Sequence, residues 1–361
     1  MLTAARTFYK KNERWIPILF FVLGFCFDAL VLRRIDEPIT ILQQAAYILV
    51  CTFLISIELI EHIREFHPPK FIAKIWLYRE ALLHFLMGTL LNAYTIFYFK
   101  SASAITSFVY IGLLVALLIL NEFKKFGKFQ TQVHIGILSL CLISYLVLLM
   151  PLLFGFIGGI PFFVGNFVAL LLIFGYRRLM TGRLTENAAL VRTHIFIPFA
   201  IVQVTFIVLY MLHILPPVPL SVSFMGIYHD AKKTENEYQL TYFRTDTKFW
   251  QHGDQTFLAR PGDSIYCFVR VFAPSRFKDQ LQVRWLFKDP RLGWQSADAI
   301  PLSIVGGREK GFRGVTKKSN YQPGDWRVQI ETTDEREIGR IGFTVERDES
   351  TEPRDIKIVV Q

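Results

Sequence analysis

The sequence predicts an α-helical transmembrane bundle of about seven helices, followed by an all-β sandwich. Two observations predict this class: long apolar segments fill the first part of the chain, and short β-rich runs separated by turn residues fill the last part. Hydrophobic residues make up 52% of the 361 residues and charged residues only 19%, whereas a soluble chain carries about a quarter charged residues. We therefore predict a membrane domain at 1–215, a proline-rich linker at 216–236 and a β-sandwich at 237–361.

The membrane domain is predicted from segments that are long and apolar enough to cross a bilayer, which takes about 20 residues. The predicted spans are 15–32, 39–61, 75–98, 103–120, 133–154, 160–176 and 194–215. The third and fourth spans are joined by a short link, as are the fifth and sixth, so each pair must form an antiparallel hairpin.

Basic residues predict the orientation, because Lys and Arg concentrate on the cytoplasmic side. The N-terminal tail and the alternate loops on its side carry 15 of them: Arg6, Lys10, Lys11, Arg14, Arg64, Lys70, Lys74, Arg79, Lys124, Lys125, Lys128, Arg177, Arg178, Arg183 and Arg192. The opposite loops carry only Arg33, Arg34 and Lys100. The N-terminus is thus predicted in the cytoplasm, and seven crossings place the C-terminal domain outside it, which in a Gram-negative bacterium is the periplasm.

The charge and the cysteines exclude two classes of protein. The net charge is +10; residues up to Leu220 contribute 18 basic minus 10 acidic, and the rest contribute 22 minus 20. A nucleic-acid binder usually has its basic patch in the soluble domain, so no nucleic-acid partner is expected. Cys26, Cys51 and Cys141 lie in apolar segments and Cys267 is alone in the β part, which predicts neither a disulfide framework nor a zinc motif.

The β part contains eight predicted strands with turn residues between them. They are 238–245, 264–272, 280–287, 300–304, 311–318, 324–332, 338–345 and 355–360. Strict alternation in two of these strands predicts which side chains form the core. The predicted inward residues are Val283, Trp285, Phe287, Trp326, Val328 and Ile330. Arg284 and Glu331 are expected outside the core.

Five blocks of the β part carry a family resemblance. They are Tyr-Cys-Phe-Val-Arg-Val from Tyr266, Val-Arg-Trp-Leu-Phe-Lys from Val283, Gly-Phe-Arg-Gly-Val-Thr-Lys-Lys from Gly311, Pro-Gly-Asp-Trp-Arg-Val from Pro323 and Ile-Gly-Arg-Ile-Gly-Phe-Thr-Val from Ile338. In this order, over residues 264–345, they resemble a bacterial domain of unknown function, number 2914. The resemblance implies an immunoglobulin-like fold that commonly follows membrane helices. It implies no reaction and no catalytic residue.

Two predicted helices repeat a Glu-x-x-x-His spacing, in Glu58–His62 and Glu80–His84. Residues four apart lie on one helix face, and both pairs fall near the predicted cytoplasmic ends of consecutive antiparallel helices. Ionisable residues in membrane helices are costly and often functional. The predicted polar cluster consists of Glu58, Glu61, His62, Arg79, Glu80 and His84. Three interpretations stay open: a solvated or ion-paired structural cluster, a proton or substrate path, and a metal site.

His134 and His194 begin helices and are expected at headgroup depth.

A basic stretch in the β part is a second candidate site. Its members are Arg308, Lys310, Arg313, Lys317 and Lys318. They would suit an anionic partner such as lipid headgroups or an acidic glycan, although edge strands also carry lysine to prevent edge pairing. No catalytic or nucleotide-binding motif occurs in the chain.

These features predict a bacterial multi-pass inner-membrane protein that displays a periplasmic β-sandwich to a protein, glycan or lipid partner in the cell envelope. A non-enzymatic role without a cofactor is expected. Two alternatives stay open: a small transporter or transporter subunit that uses the Glu/His cluster, and a membrane enzyme that acts on lipid-linked substrates.

Overall fold

A computed structural model of the chain describes residues 36–63, 79–102, 105–121, 129–184, 188–235, 237–243, 251–306 and 311–361. Within these ranges, the side chains of residues 62–63, 80–81, 105–107 and 117–121 are not described. The chain forms two compact units. The described residues within 1–97, 114–145 and 177–199 belong to one unit, and those within 98–113, 146–176 and 200–361 belong to the other.

The described part of the first 215 residues is helical. It contains α1 (Pro38–Ile63), α2 (Arg79–Lys100), α3 (Ile105–Asn121), α4 (Gln130–Phe154), α5 (Gly159–Arg183) and α6 (Ala188–Met211). Five of them, all except α3, are long and apolar enough to cross a membrane. The protein therefore has a helical membrane domain, but the prediction of seven spans is not supported by the six helices of the described ranges. The first predicted span, 15–32, lies outside those ranges.

The hairpin of α4 and α5 confirms the short link predicted between the fifth and sixth spans, because α4 ends at Phe154 and α5 begins at Gly159. A Cβ atom added at Gly165 of α5 would lie 3.0 Å from the carbonyl oxygen of Leu146 on α4. Small residues of this kind let the backbones of two membrane helices approach closely.

The remainder of the described chain is all β. Its strands are β1 (Ser221–Tyr228), β2 (Asp230–Thr234), β3 (Glu237–Tyr242), β4 (Thr256–Ala259), β5 (Ile265–Phe272), β6 (Lys278–Asp289), β7 (Gly293–Val305), β8 (Phe312–Lys318), β9 (Gly324–Thr332), β10 (Glu337–Arg347) and β11 (Lys357–Val360).

These strands form a sandwich with an additional sheet. One sheet has the order β1-β5-β8, the second has β4-β10-β9-β6-β7, and the third has β11-β3-β2. All pairs are antiparallel except β4 with β10. In the five-stranded sheet, β10, β9, β6 and β7 occupy the positions of strands G, F, C and C′ of an immunoglobulin variable domain, and β4 is added beside β10. In the three-stranded sheet, β5 pairs with β8 as strand B pairs with strand E. The strand order thus gives the immunoglobulin-like fold.

The sandwich core lies between the first two sheets and confirms the predicted alternation. Trp285 on β6 is fully buried, Trp326 on β9 is 3% exposed, and both belong to one apolar cluster. Cys267 on β5 is in the same cluster as a free thiol. In antibody domains a disulfide joins strands B and F at this depth, whereas here apolar side chains alone fill the space.

Three details of the β part differ from the predictions. Strands β1 and β2 lie within the predicted linker, because β1 pairs with β5 along its whole length. The short strand β4 was not predicted. Glu331 is buried although its position alternates outward, because Arg284 on the neighbouring strand bonds to it at 2.8 Å and covers it.

Candidate functional site

Glu58 near the end of α1 bonds to two side chains of α4. Nδ1 of His134 lies 2.8 Å from one carboxylate oxygen of Glu58, and the hydroxyl of Thr131 donates to the other oxygen at 3.0 Å. His134 is 2% exposed. Hydrogen bonds from these two side chains satisfy the Glu58 carboxylate. They compensate for part of the free-energy cost of burying a charged group in the helical bundle.

Other predicted members of the polar cluster lie close by. The His84 ring packs edge to face with the His134 ring, with centroids 5.3 Å apart and planes at 84°. Glu61 forms an ion pair with Arg79, at 2.7 Å between Oε2 and Nη2. The side chains of His62 and Glu80 lie outside the description. The structure thus brings Glu58 and His84 to a common neighbour, His134.

Sequence reasoning missed His134 and Thr131. His134 was predicted to begin a helix at headgroup depth, and the structure adds that its side chain is buried, because the start of α4 packs against Glu58. A usable signal was present: Thr131 and His134 are three residues apart, so they share a helix face, and they are polar side chains at the start of an apolar helix. Among the described residues, no group of three or more His, Cys, Asp or Glu side chains is arranged to hold a metal ion.

A second polar region lies where the β-sandwich contacts the α4–α5 hairpin. The main-chain N–H of Lys278 donates to the carbonyl of Gly155 at 2.9 Å, and the N–H of Ile157 donates to Oδ2 of Asp279 at 3.0 Å. Burial raises the pKa of Asp279, although the main-chain N–H groups of Ile157 and Gln280 act in the opposite direction. The hairpin therefore joins the start of β6 through backbone and carboxylate bonds.

The end of α6 joins the β9–β10 turn through Arg336. The guanidinium of Arg336 lies over the ring of Tyr210, 3.5 Å from its centroid, and donates to the Tyr210 carbonyl at 2.8 Å. It also pairs with Asp334 at 2.8 Å, and the hydroxyl of Tyr210 donates to Asp334 at 3.3 Å. On its other face, the Tyr210 ring stacks with Phe162 of α5, with centroids 3.7 Å apart. Residues 215–220, which connect α6 to β1, are buried.

The basic stretch of the β part is only partly available to a partner. Arg308 and Lys310 lie outside the described residues. Arg313 donates to the main-chain oxygen of Gln361 at 2.9 Å, and the exposed Lys317 lies 5.6 Å from the Tyr266 ring centroid. Lys318 is 4% exposed and forms an ion pair with Asp298, so it does not present its charge to solvent.

A groove of about 890 Å³ lies between the β4–β5, β8–β9 and β10–β11 connections. Its walls are held by charge-assisted bonds between these connections. Arg260 bonds to Asp348 at 2.6 Å and to the Ser350 hydroxyl at 2.8 Å, and Arg354 bonds to Asp263 at 2.8 Å. Hydrogen bonds from Ser350 and Arg260 hold the pKa of Asp348 well below its usual range.

The groove lies at the opposite end of the sandwich from the helix contacts. Strand β9 begins at Gly324, next to Pro323 in the groove wall, and ends at Thr332, next to the turn that carries Asp334 and Arg336. Its 9 residues separate the two ends by about 30 Å at the rise of an extended strand.

Comparison with known proteins gives one family match. Residues 278–345 match the model of a family described as protein of unknown function, DUF2914. The match confirms the resemblance predicted from the sequence blocks, and it covers strands β6 to β10. No curated protein matches the chain.

Several solved structures are similar to part of the chain. An immunoglobulin-like protein from Pseudomonas aeruginosa has 12% identity and a TM-score of 0.22, over 36% of this chain and 98% of that one. A GH3 β-glucosidase from Bifidobacterium adolescentis has 8% identity and a TM-score of 0.21, over 38% of this chain and 18% of that one. A β-glucosidase from Listeria innocua has 13% identity and a TM-score of 0.19, over 26% and 15%. The chain thus spans less than a fifth of the two glucosidases. The fold assignment rests on the strand order described above.

Proposed function

We propose that this protein is a multi-pass protein of the bacterial inner membrane that holds an immunoglobulin-like sandwich on the periplasmic side, where the sandwich binds a protein, glycan or lipid partner of the cell envelope. The N-terminus is in the cytoplasm, and an odd number of membrane crossings places the C-terminal domain on the other side. The observation that carries the proposal is the attachment of the sandwich to the α4–α5 hairpin and to the end of α6.

The distribution of basic residues supports the orientation. Helix α5 carries Arg177, Arg178 and Arg183 in its C-terminal part, whereas its first residues follow the hairpin that bonds to β6. Its 25 residues extend about 37 Å, which is enough to cross a hydrocarbon core of about 30 Å. Since arginine concentrates on the cytoplasmic side, the hairpin and the sandwich belong to the other side.

The geometry of the attachment supports a display role. Buried connecting residues and two sets of bonds hold the sandwich against the helix ends, so its far end is presented at a set distance from the membrane. That end carries the groove lined by Arg260, Tyr321 and Asp348. The charged side chains of its walls already form ion pairs with each other. These side chains therefore lose less conformational entropy when a partner binds.

Reporter fusions test the orientation. Alkaline phosphatase fused after Gln361 is expected to be active in cells, and green fluorescent protein at the same point is expected to be dark. The matched control places both reporters after Arg183, where the results should be reversed. A fluorescent, phosphatase-negative fusion after Gln361 would refute the proposed topology.

Site-specific photocrosslinking tests the partner. A photoreactive amino acid at the exposed Glu349 in the groove wall should give a discrete adduct with an envelope component in living cells. Lys232, whose side chain is 77% exposed on the third sheet, is the control position and should give none. Adducts of equal yield from both positions, or from neither, would contradict binding at the groove.

A further inference from the structure

His134 has a feature that a purely structural role in the bundle does not explain. Its side chain is 2% exposed, and its Nε2 atom has no hydrogen-bond partner among the residues that the structure describes. A buried polar atom without a partner costs free energy, and the great majority of such atoms in folded proteins are satisfied. A ligand bound at Nε2 would satisfy this atom in the working protein.

Glu58 determines what Nε2 offers to that ligand. An ionised carboxylate only accepts hydrogen bonds, so Nδ1 of His134 carries the proton in the contact at 2.8 Å. In the neutral ring, Nε2 then presents its lone pair. Thr131 donates to the other oxygen of Glu58 and holds the carboxylate in place. A histidine that binds a metal through one nitrogen almost always donates its other N–H to a carboxylate, carbonyl or water.

A second imidazole lies at a suitable distance. The centroids of the His84 and His134 rings are 5.3 Å apart. Two imidazoles that each place one nitrogen about 2.0 Å from a tetrahedral ion have centroids separated by about 5 Å. The three helices α1, α2 and α4 thus contribute an orienting carboxylate and two imidazoles, as in metal sites of helical bundles.

We propose that His84 and Nε2 of His134 bind one divalent ion of the zinc class, and that Glu58 is a positioning residue for His134. Imidazole nitrogen favours zinc, copper and nickel over calcium and magnesium. Two protein nitrogens leave further coordination positions for water or other ligands. The proposal does not depend on the display function, because it concerns the helices and not the sandwich.

The test uses full-length protein in detergent, stripped with a chelator and titrated with Co²⁺, whose visible spectrum reports the coordination of the ion. The wild type is expected to bind one ion per chain with the absorption of four-coordinate cobalt, and Zn²⁺ should displace it. His134→Gln and His84→Gln should each remove this spectrum. Glu58→Gln should weaken binding by about tenfold or more, because it removes the charge that orients His134.

The matched control is His213→Asn, since His213 is an exposed histidine with a left-handed backbone that asparagine tolerates. This variant should bind Co²⁺ like the wild type. If substitution of His134 prevents folding, Glu58→Gln and the metal-dependent rise in the melting temperature of the wild type provide the readout. A wild type that binds no Co²⁺, or that binds it equally after substitution of His84 and Glu58, would overturn the proposal.

Discussion

Arg336 of the β9–β10 turn lies over the ring of Tyr210 at the end of α6, 3.5 Å from the ring centroid, although 126 residues separate the two in sequence. The same guanidinium donates to the Tyr210 carbonyl and to Asp334. One side chain thus supplies a cation–π contact, a main-chain bond and an ion pair to the attachment of the sandwich.

We expect Arg336→Ala to loosen this attachment. The substitution removes the guanidinium that pairs with Asp334 and donates to the Tyr210 carbonyl, so the free energy of unfolding should fall by about 3 kcal/mol. Amide hydrogen exchange should become faster at Leu215, Val218 and Leu220, whose N–H groups are bonded in the connection to β1. Arg340→Ala is the control, since Arg340 pairs with Glu337 only three residues away and should contribute at most about 1 kcal/mol. Equal effects of the two substitutions would contradict the role assigned to Arg336.

The hairpin glycine Gly155 is expected to be intolerant of a side chain. Its φ is +78°, and an added Cβ would lie 2.9 Å from the carbonyl oxygen of Arg276. Gly155→Ala should lower stability by about 2 kcal/mol, measured by thermal unfolding in detergent, because it adds backbone strain and a contact with a main-chain atom. Gly175→Ala in α5, where an added Cβ meets nothing within 4 Å, should leave stability unchanged or raise it.

Acid should weaken the attachment through Asp334. Partial burial opposes its ionisation, but hydrogen bonds from Thr332 and Arg336 outweigh this and lower its pKa below the ordinary value of 3.8. A carboxyl whose pKa is lower in the folded state stabilises the fold above its unfolded pKa, and this contribution is lost as the pH falls through the folded pKa. The melting-temperature difference between the wild type and Asp334→Asn should therefore be full at about pH 7 and shrink below pH 3.8. A melting-temperature difference that grows as the pH falls would contradict this prediction.

Cys267 should report on unfolding of the sandwich. The thiol is 1% exposed, and burial raises its pKa, so little of the reactive thiolate forms in the native state. In a variant with alanine at Cys26, Cys51 and Cys141, iodoacetamide should modify Cys267 about a hundredfold more slowly than a cysteine introduced at the exposed Ser319. The difference should disappear in denaturant. Rapid native labelling would show that the core opens readily.

The helices were the most predictable part of the fold. The predicted span 133–154 corresponds to α4 (Gln130–Phe154), and the predicted link before α5 is present. A chain in a bilayer must satisfy its backbone internally, so length and apolarity are nearly sufficient to predict such a helix. Strands with strict alternation were also predictable, as in β6 and β9. Strand β1 was missed because its sequence follows three prolines, and β4 was missed because it has only 4 residues.

The partners within the candidate site were less predictable. The spacing of Glu58 and His62 indicates which side chains share a face of one helix, but it does not indicate which helix packs against that face. His134 lies 76 residues after Glu58, and its burial depends on how α1, α2 and α4 pack together. The ion pair of Lys318 in the basic stretch was unpredictable for a similar reason, since it is the fold that places Asp298 next to Lys318.

The sequence by itself determined that the chain has a membrane part and a β part, and it determined spans such as those of α4 and α5 and the inward faces of β6 and β9. These properties follow from hydrophobicity, charge and periodicity along the chain, which are local. Only the tertiary structure decided that Glu58 meets His134 and that Arg336 meets Tyr210. Contacts between residues so distant in sequence depend on the simultaneous packing of many elements, and no local pattern encodes that packing.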